Sequence, residues 1–121
     1  MSRYVVLLHD HPVVHWDFML QRDATLQTWR LLSCPEAGRD ISAEPLADHR
    51  LHYLDYEGPV SGNRGTVTRW DFGGYRVLEQ TASICRCRLE GTKLRGTVSL
   101  QSQGPGQPSV FFYSPDSAVS G

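Results

Sequence analysis

The chain has 121 residues, of which 40% are hydrophobic, and a formal net charge of −1 at pH 7; this length fits a single domain. The small net charge argues against broad electrostatic binding to nucleic acid, and no apolar run approaches the roughly 18 residues that a membrane helix needs. Without an apolar leader and with an odd number of cysteines, three, the sequence predicts a cytoplasmic protein that has no disulfide framework.

Short segments rich in β-branched and aromatic residues follow one another along the chain. They predict strands at 3–8, 13–21, 26–32, 66–72, 75–80, 83–89, 94–100 and 109–113. A hairpin turn is predicted at Gly73-Gly74 and a tight turn at 90–92. Residues 33–45 are predicted as a long loop, and 46–56 keeps a strand-like alternation. The sequence therefore predicts an all-β barrel or sandwich.

The stretch 9–19, HDHPVVHWDFM, holds three of the five histidines. In a strand, His15 and Asp17 point to the same face, and a turn at 10–12 would bring His9 back beside His15. Two imidazoles and a carboxylate suit Mn, Fe or Zn and leave coordination positions open. The pattern therefore favours a metal site of His9, His15 and Asp17, whereas His11 is expected to be exposed.

A second group of candidate residues lies in the segment 46–56. His49 is a candidate fourth nitrogen ligand or proton donor, because imidazole titrates near neutrality. Tyr53 shares the parity of His49 and is expected to reach the same side, whereas His52 has the opposite parity and is expected at the surface. Spacing alone leaves open whether these histidines bind metal or are structural, because short motifs give many false matches.

Five motifs in collinear order resemble the 3′-phosphoesterase domain of bacterial DNA ligase D. VVLLHDHPVVHWDFML resembles its His-Asp pair and the His-x-Asp-Phe strand that follows. Trp29 and Pro35 match the ends of the next motif, and ADHRLHYLDYEG resembles the segment Asp-His-Pro-Leu-x-Tyr-x-x-Phe-Glu-Gly. GTVTRWD and LEGTKLRG resemble the strand and the hairpin that come next. The chain is identified by this order as a member of the family.

The resemblance implies a small antiparallel β-barrel with little or no helix over residues 1–114 and an active site in an outer groove. The small, polar residues at 115–121 predict a flexible tail. The resemblance also implies removal of a 3′-phosphate or a 3′-ribonucleotide from DNA ends with Mn²⁺, for which Zn²⁺ or Fe²⁺ are alternatives. His9, His15 and Asp17 would hold the metal, and His49 and Tyr53 would contact the scissile phosphate, with His49 as general acid. The implied partners are DNA 3′ ends and a ligase or polymerase acting in trans. No membrane partner is expected, because the chain has no apolar run of the length that a membrane helix needs.

Three positions depart from the family pattern. Met19 stands where the family has Arg, Ser33 where it has Lys, and Ile41 where an Arg is expected. Each missing cation is expected to weaken the stabilisation of a phosphoryl transition state by a few kcal/mol. Catalysis is then lost, weakened or redirected unless other cations substitute. The candidate substrate-binding cations are three arginines, Arg30, Arg50 and Arg64.

The sequence leaves three functions open. The intact set of histidines and aspartate favours a metal-dependent phosphoesterase, whereas the missing cations favour a degenerate member that binds metal, DNA ends or a partner without hydrolysis. A small non-haem iron oxygenase ranks last. Its basis is that His15 and Asp17 with a distant His49 imitate a triad of two histidines and one carboxylate.

Overall fold

The computed structural model describes residues 1–117, so residues 118–121 of the predicted tail lie outside the described part. The elements are β1 Ser2–His9, β2 His15–Arg22, β3 Thr25–Leu31, β4 Ile41–Arg50, a 3₁₀ helix Leu51–Leu54, β5 Gly58–Pro59, β6 Thr66–Gln80, β7 Ile84–Gly91, β8 Arg95–Gln101 and β9 Ser109–Pro115. β7 extends to Gly91, so the turn predicted at 90–92 begins later, and β9 includes Pro115, the first residue of the predicted tail. Within residues 1–117 no helix is long and apolar enough to span a membrane.

The strands form one closed antiparallel sheet. Their hydrogen-bonded order is β1-β2-β3-β4-β9-β8-β7-β6, and β6 also pairs with β1, which closes the ring. β5 adds to β6 outside the ring. The predicted all-β class and small antiparallel barrel are therefore confirmed. Closure pairs the sheet edges that an open sheet would leave free.

Apolar side chains pack on both faces of the barrel wall. Successive residues of a strand point to opposite faces, so Val6 and Phe18 join the interior cluster. Their neighbours Val5 and Met19 join a smaller outer cluster, in which Leu54 of the 3₁₀ helix covers β1 and β2. Odd-numbered side chains of β1 and β2 therefore face outward, beneath the segment that follows β4.

The Gly73-Gly74 pair lies within a strand, and the prediction of a hairpin turn there is wrong. β6 runs through both glycines as one strand of 15 residues. Its first half pairs with β1 and its last part pairs with β7, and the two pairings overlap at these glycines. A Cβ on Gly73 would overlap the carbonyl oxygen of Glu90. The glycine therefore permits a close approach of β7, a use of glycine that differs from turn formation.

β4 begins earlier and ends earlier than the sequence indicated. Ile41 and Ala43 are buried and pair with β9, so the loop predicted at 33–45 is wrong in its second half. Pro45 lies beyond these pairs, where β4 pairs with β3 alone, and such edge positions tolerate proline. The alternation predicted for 46–56 is also wrong after Arg50, where the backbone enters the 3₁₀ helix.

Candidate active site

The pairing of β1 with β2 assembles the candidate metal ligands. The register places His9 opposite His15 and Leu7 opposite Asp17. The centroids of the two imidazole rings are 4.8 Å apart, and one ligand atom from each of His9, His15 and Asp17 lies within 4.8 Å of the others. The turn at 10–12 thus brings together three donor groups on the outward face.

Asp17 is largely buried and lies close to both imidazoles. Its Oδ2 is 3.3 Å from Nε2 of His15 and 3.8 Å from Nδ1 of His9, and the His15 side chain is 0% exposed. Among the described residues, His15 Nε2 and Asp17 Oδ1 are buried without a hydrogen-bond partner. Such unpaired polar atoms are destabilising when they are buried. A divalent cation bound among these three residues would satisfy them, so the donor set fits a metal.

Two backbone carbonyls fix the orientation of these imidazoles. Nδ1 of His15 donates to the carbonyl of Val13 at 2.8 Å, and Nε2 of His9 donates to the carbonyl of Arg64 at 2.7 Å. Because a carbonyl only accepts, the neutral form of each ring keeps its lone pair on the other ring nitrogen, which faces Asp17. This is the arrangement that orients histidines in metal sites.

A cavity of about 400 Å³ opens beside Asp17. It is lined by two groups of residues. The polar group is His9, His11, Asp17, Arg30, His49, Tyr53 and Arg64, and the apolar group is Leu7, Pro12, Met19, Val60 and Val67. His15 lies behind this lining, and Arg50 is exposed outside it. The exposed His11 at the rim was not predicted as a site residue, although its place in the turn beside His9 was a signal for this position.

His49 and Tyr53 reach the cavity from the end of β4 and from the 3₁₀ helix. Nδ1 of His49 donates to the carbonyl of Ala47 at 2.9 Å, which leaves Nε2 free for other contacts. The rings of His49 and Tyr53 meet edge to face with centroids 5.9 Å apart. Their proximity arises from a helical turn and not from the shared strand parity that the sequence indicated.

Arg30 is the cavity arginine with a direct relation to Asp17. The two residues are cross-strand partners in the β2–β3 pair, and Nε of Arg30 lies 4.0 Å from Oδ1 of Asp17. This Nε is buried and has no hydrogen-bond partner among the described residues. The guanidinium of Arg64, in contrast, donates to the carbonyl and the hydroxyl of Ser61. Arg30 is therefore the cation best placed to serve the site.

The three departures from the family pattern lie in different environments. Met19 is buried in the outer cluster and lines the cavity. Ile41 packs in the barrel interior, and Ser33 is half-buried in the segment after β3. Of the three, Met19 alone lies in the cavity lining, so it is the departure that belongs to the candidate site.

Comparisons with known proteins agree with one another. The sequence model of the family described as "DNA Ligase D 3'-phosphoesterase domain" matches residues 8–102. A curated relative, the "Multifunctional non-homologous end joining protein LigD" of Pseudomonas aeruginosa, is 34% identical over 106 residues. The match covers 79% of this chain and 13% of that protein, so the chain spans a small part of the relative's length.

Proposed function

Because the chain belongs to the DNA ligase D 3′-phosphoesterase domain family, we propose that it is a Mn²⁺-dependent hydrolase that removes 3′-phosphate or 3′-ribonucleotide groups from DNA ends. The family supports a phosphoesterase role in end repair. The observation that carries the metal dependence is the set of half-buried His9 and buried His15 and Asp17, in which two polar atoms lack partners among the described residues. A ligase or polymerase acting in trans would use the cleaned 3′ end.

The proposed ligands are Nδ1 of His9, Nε2 of His15 and a carboxylate oxygen of Asp17. A mixed set of nitrogen and oxygen donors suits Mn²⁺, and also Zn²⁺ or Fe²⁺. When bound, the ion supplies a positive charge that polarises a phosphoryl oxygen and makes a bound water more acidic. The carbonyls of Val13 and Arg64 keep both imidazoles in the tautomer that this role needs.

The other residues of the cavity act on the phosphate itself. The guanidinium groups of Arg30 and Arg64 would bind its non-bridging oxygens. His49 is held by its bond to the carbonyl of Ala47, so a proton on Nε2 could pass to the leaving oxygen of the nucleotide. The Tyr53 hydroxyl would donate a hydrogen bond to the same phosphate.

A second candidate function is the binding of metal and DNA ends without hydrolysis. The observation in its favour is Met19, which puts a thioether in the cavity lining at a position where the resemblance implies a cation. The iron oxygenase is not favoured by the family match. Its proposed third ligand was His49, whereas the ligand group of the described residues contains His9, and this group keeps the same donor composition of two histidines and one carboxylate.

The test of the proposed function uses metal-free protein, added Mn²⁺ and a 5′-labelled primer–template with a 3′-phosphate or 3′-ribonucleotide end. We expect Mn²⁺-dependent trimming that is lost in His15→Ala and Asp17→Asn. His52→Ala, which changes an exposed histidine outside the ligand set, is the control for Mn²⁺ binding measured by calorimetry. Wild-type protein that binds Mn²⁺ but trims no end would support the second candidate, and a lack of Mn²⁺ binding would contradict the proposed metal centre.

A further inference from the structure

A row of four aromatic rings leads from the cavity onto the protein surface. Tyr53, which lines the cavity, meets His49 edge to face on one side. It meets His52 in the same way, at 4.3 Å between ring centroids. His52 then stacks on Tyr56 at 5.0 Å with an interplanar angle of 19°. We call this group the aromatic row; it consists of His49, Tyr53, His52 and Tyr56.

The tyrosines of the aromatic row pack against the rest of the protein, whereas His52 is exposed. Tyr56 is half-buried and donates its hydroxyl hydrogen to the carbonyl of Pro59. Both Tyr53 and Tyr56 pack against the outer cluster. His52 is exposed, and no hydrogen bond or ion pair of the described residues involves its side chain. Tyr56 therefore stacks against one face of the His52 ring and fixes its orientation, although the fold leaves this ring exposed.

We propose that His52 is a stacking surface for the terminal base of the strand whose 3′-phosphate occupies the cavity. This inference rests on the proposed function, and it names the ligand as the 3′-terminal nucleoside of a single or frayed strand, without base preference. Every base has a π face, and stacking on aromatic side chains tolerates any sequence. Tyr53 connects the cavity proposed for the phosphate with the ring proposed for the base, because it lines that cavity and also contacts His52.

The charge of the chain supports the same assignment. Proteins that hold nucleic acid mainly through the phosphate backbone carry a strongly basic surface, whereas this chain has a net charge of −1. A site that grips one terminal nucleotide then needs an uncharged contribution to its affinity. An exposed ring next to the phosphate cavity supplies that contribution.

Binding rather than trimming is the first measurement. A 5′-fluorescein single strand with a 3′-phosphate is titrated with metal-free protein and followed by fluorescence polarisation. We expect His52→Ala to weaken binding by about fivefold or more, the effect of one lost stacking contact, and His52→Phe to restore it. Gln101→Ala, an exposed change on β8, should bind like wild type. Unchanged affinity in His52→Ala, or no rescue by His52→Phe, would overturn the inference.

A matched ligand isolates the base. The same strand with an abasic 3′-terminal nucleotide, still phosphorylated, should bind wild type more weakly by the factor that His52→Ala loses. His52→Ala should no longer distinguish the two strands. If wild type binds both strands equally, the base has no stacking site at His52.

Binding and trimming together distinguish this inference from the proposed function. If the protein trims no end, but binds the terminal base and loses that binding in His52→Ala, the stacking site is supported and hydrolysis is rejected. If ends are trimmed normally, but His52→Ala binds like wild type and the abasic strand binds like the intact strand, the stacking site is rejected and hydrolysis is supported. Circular dichroism melts of each variant establish that it is folded.

Discussion

Tyr4 and Asp71 are joined by a buried hydrogen bond of 2.6 Å from the hydroxyl to the carboxylate. The same carboxylate accepts bonds from the backbone N–H groups of Thr92, Lys93 and Leu94 at 2.9–3.0 Å. One side chain of β6 thus ties the β7–β8 turn to β1. GTVTRWD and LEGTKLRG supply the two ends of this connection, and none of the residues that make it lines the cavity. These two motifs therefore indicate the fold more directly than the chemistry.

Replacement of Asp71 should destabilise the barrel without removing the metal site. Asp71→Ala leaves a hydroxyl and three backbone N–H groups without their acceptor, and an unsatisfied buried donor costs about 1–3 kcal/mol. We expect a decrease in the free energy of unfolding of about 3 kcal/mol or more, measured by urea denaturation. Tyr4→Phe removes a single donor and should cost about 1 kcal/mol. Equal effects of the two substitutions would contradict the role of Asp71 in holding the turn.

Local sequence patterns predicted the proximity of the three candidate metal ligands, because these residues are close in sequence. His9, His15 and Asp17 lie within nine positions, so one turn and one antiparallel pair suffice to bring them together. Strand periodicity predicted that His15 and Asp17 share a face, and the turn-forming residues at 10–12 predicted that His9 folds back toward His15. Residue type and parity made His49 and Tyr53 candidates, but their role on the phosphate came from the family resemblance, since more than thirty residues separate them from His9.

Features that depend on long-range pairing were beyond the sequence. The approach of Arg30 to Asp17 follows from the β2–β3 register, and a shift of one residue would turn the arginine to the other face. Gly73 and Gly74 fit a turn as well as a close approach of strands, and only the β6–β7 pairing decides between them. The strand character of Ile41 and Ala43 likewise depends on β9, a partner more than sixty residues away.

Arg30 should compensate for the cation that Met19 does not provide. Removal of one oriented donor to a developing charge typically lowers kcat by about 10²–10³-fold. We expect Arg30→Ala to approach this loss in the Mn²⁺-dependent trimming assay, whereas Arg50→Ala, outside the cavity lining, should stay close to wild type. A larger effect of Arg50→Ala than of Arg30→Ala would reverse the assignment. Mn²⁺ affinity is measured in parallel, because Arg30 also neighbours the ligand Asp17.

His49 should act in proton transfer and not in metal binding. Its Nδ1 is engaged with the carbonyl of Ala47, and it does not belong to the ligand group. We expect His49→Ala to lower kcat by about 10²–10⁴-fold, the range for loss of a general acid, while the Kd for Mn²⁺ stays unchanged. A substrate with a better leaving group than a nucleotide should recover much of the lost rate. Weakened Mn²⁺ binding in this variant would make His49 a fourth ligand instead.

Tyr53→Phe separates the hydroxyl of Tyr53 from its ring. The substitution keeps the edge-to-face contacts with His49 and His52, so affinity for the terminal base should persist. The hydrogen bond to phosphate is lost, and we expect trimming to slow with little change in the melting temperature. Wild-type trimming rates in Tyr53→Phe would mean that the ring, and not the hydroxyl, is what the site requires.

The ion pair of Arg3 and Asp55 should make the anchoring of the 3₁₀ helix dependent on pH. Nη2 of Arg3 donates to Asp55 at 2.6 Å, and Nη1 donates to the other carboxylate oxygen at 3.3 Å. Asp55 directly follows the helix that carries His52 and Tyr53, so this pair ties the aromatic row to β1. The hydrogen bond and charge of Arg3 lower the pKa of Asp55, despite an opposing contribution from desolvation.

The sign of the effect follows from this lowered pKa. A carboxyl group whose folded-state pKa lies below its unfolded value of about 3.9 stabilises the fold at higher pH. That contribution decreases as the pH falls through the folded-state pKa. We expect the difference in unfolding free energy between wild type and Asp55→Asn to be constant near neutrality and to vanish in acid. It should also shrink in 1 M NaCl, because salt screens an exposed pair. A difference that grows as the pH falls would contradict this role of Asp55, and urea denaturation across the pH range measures it directly.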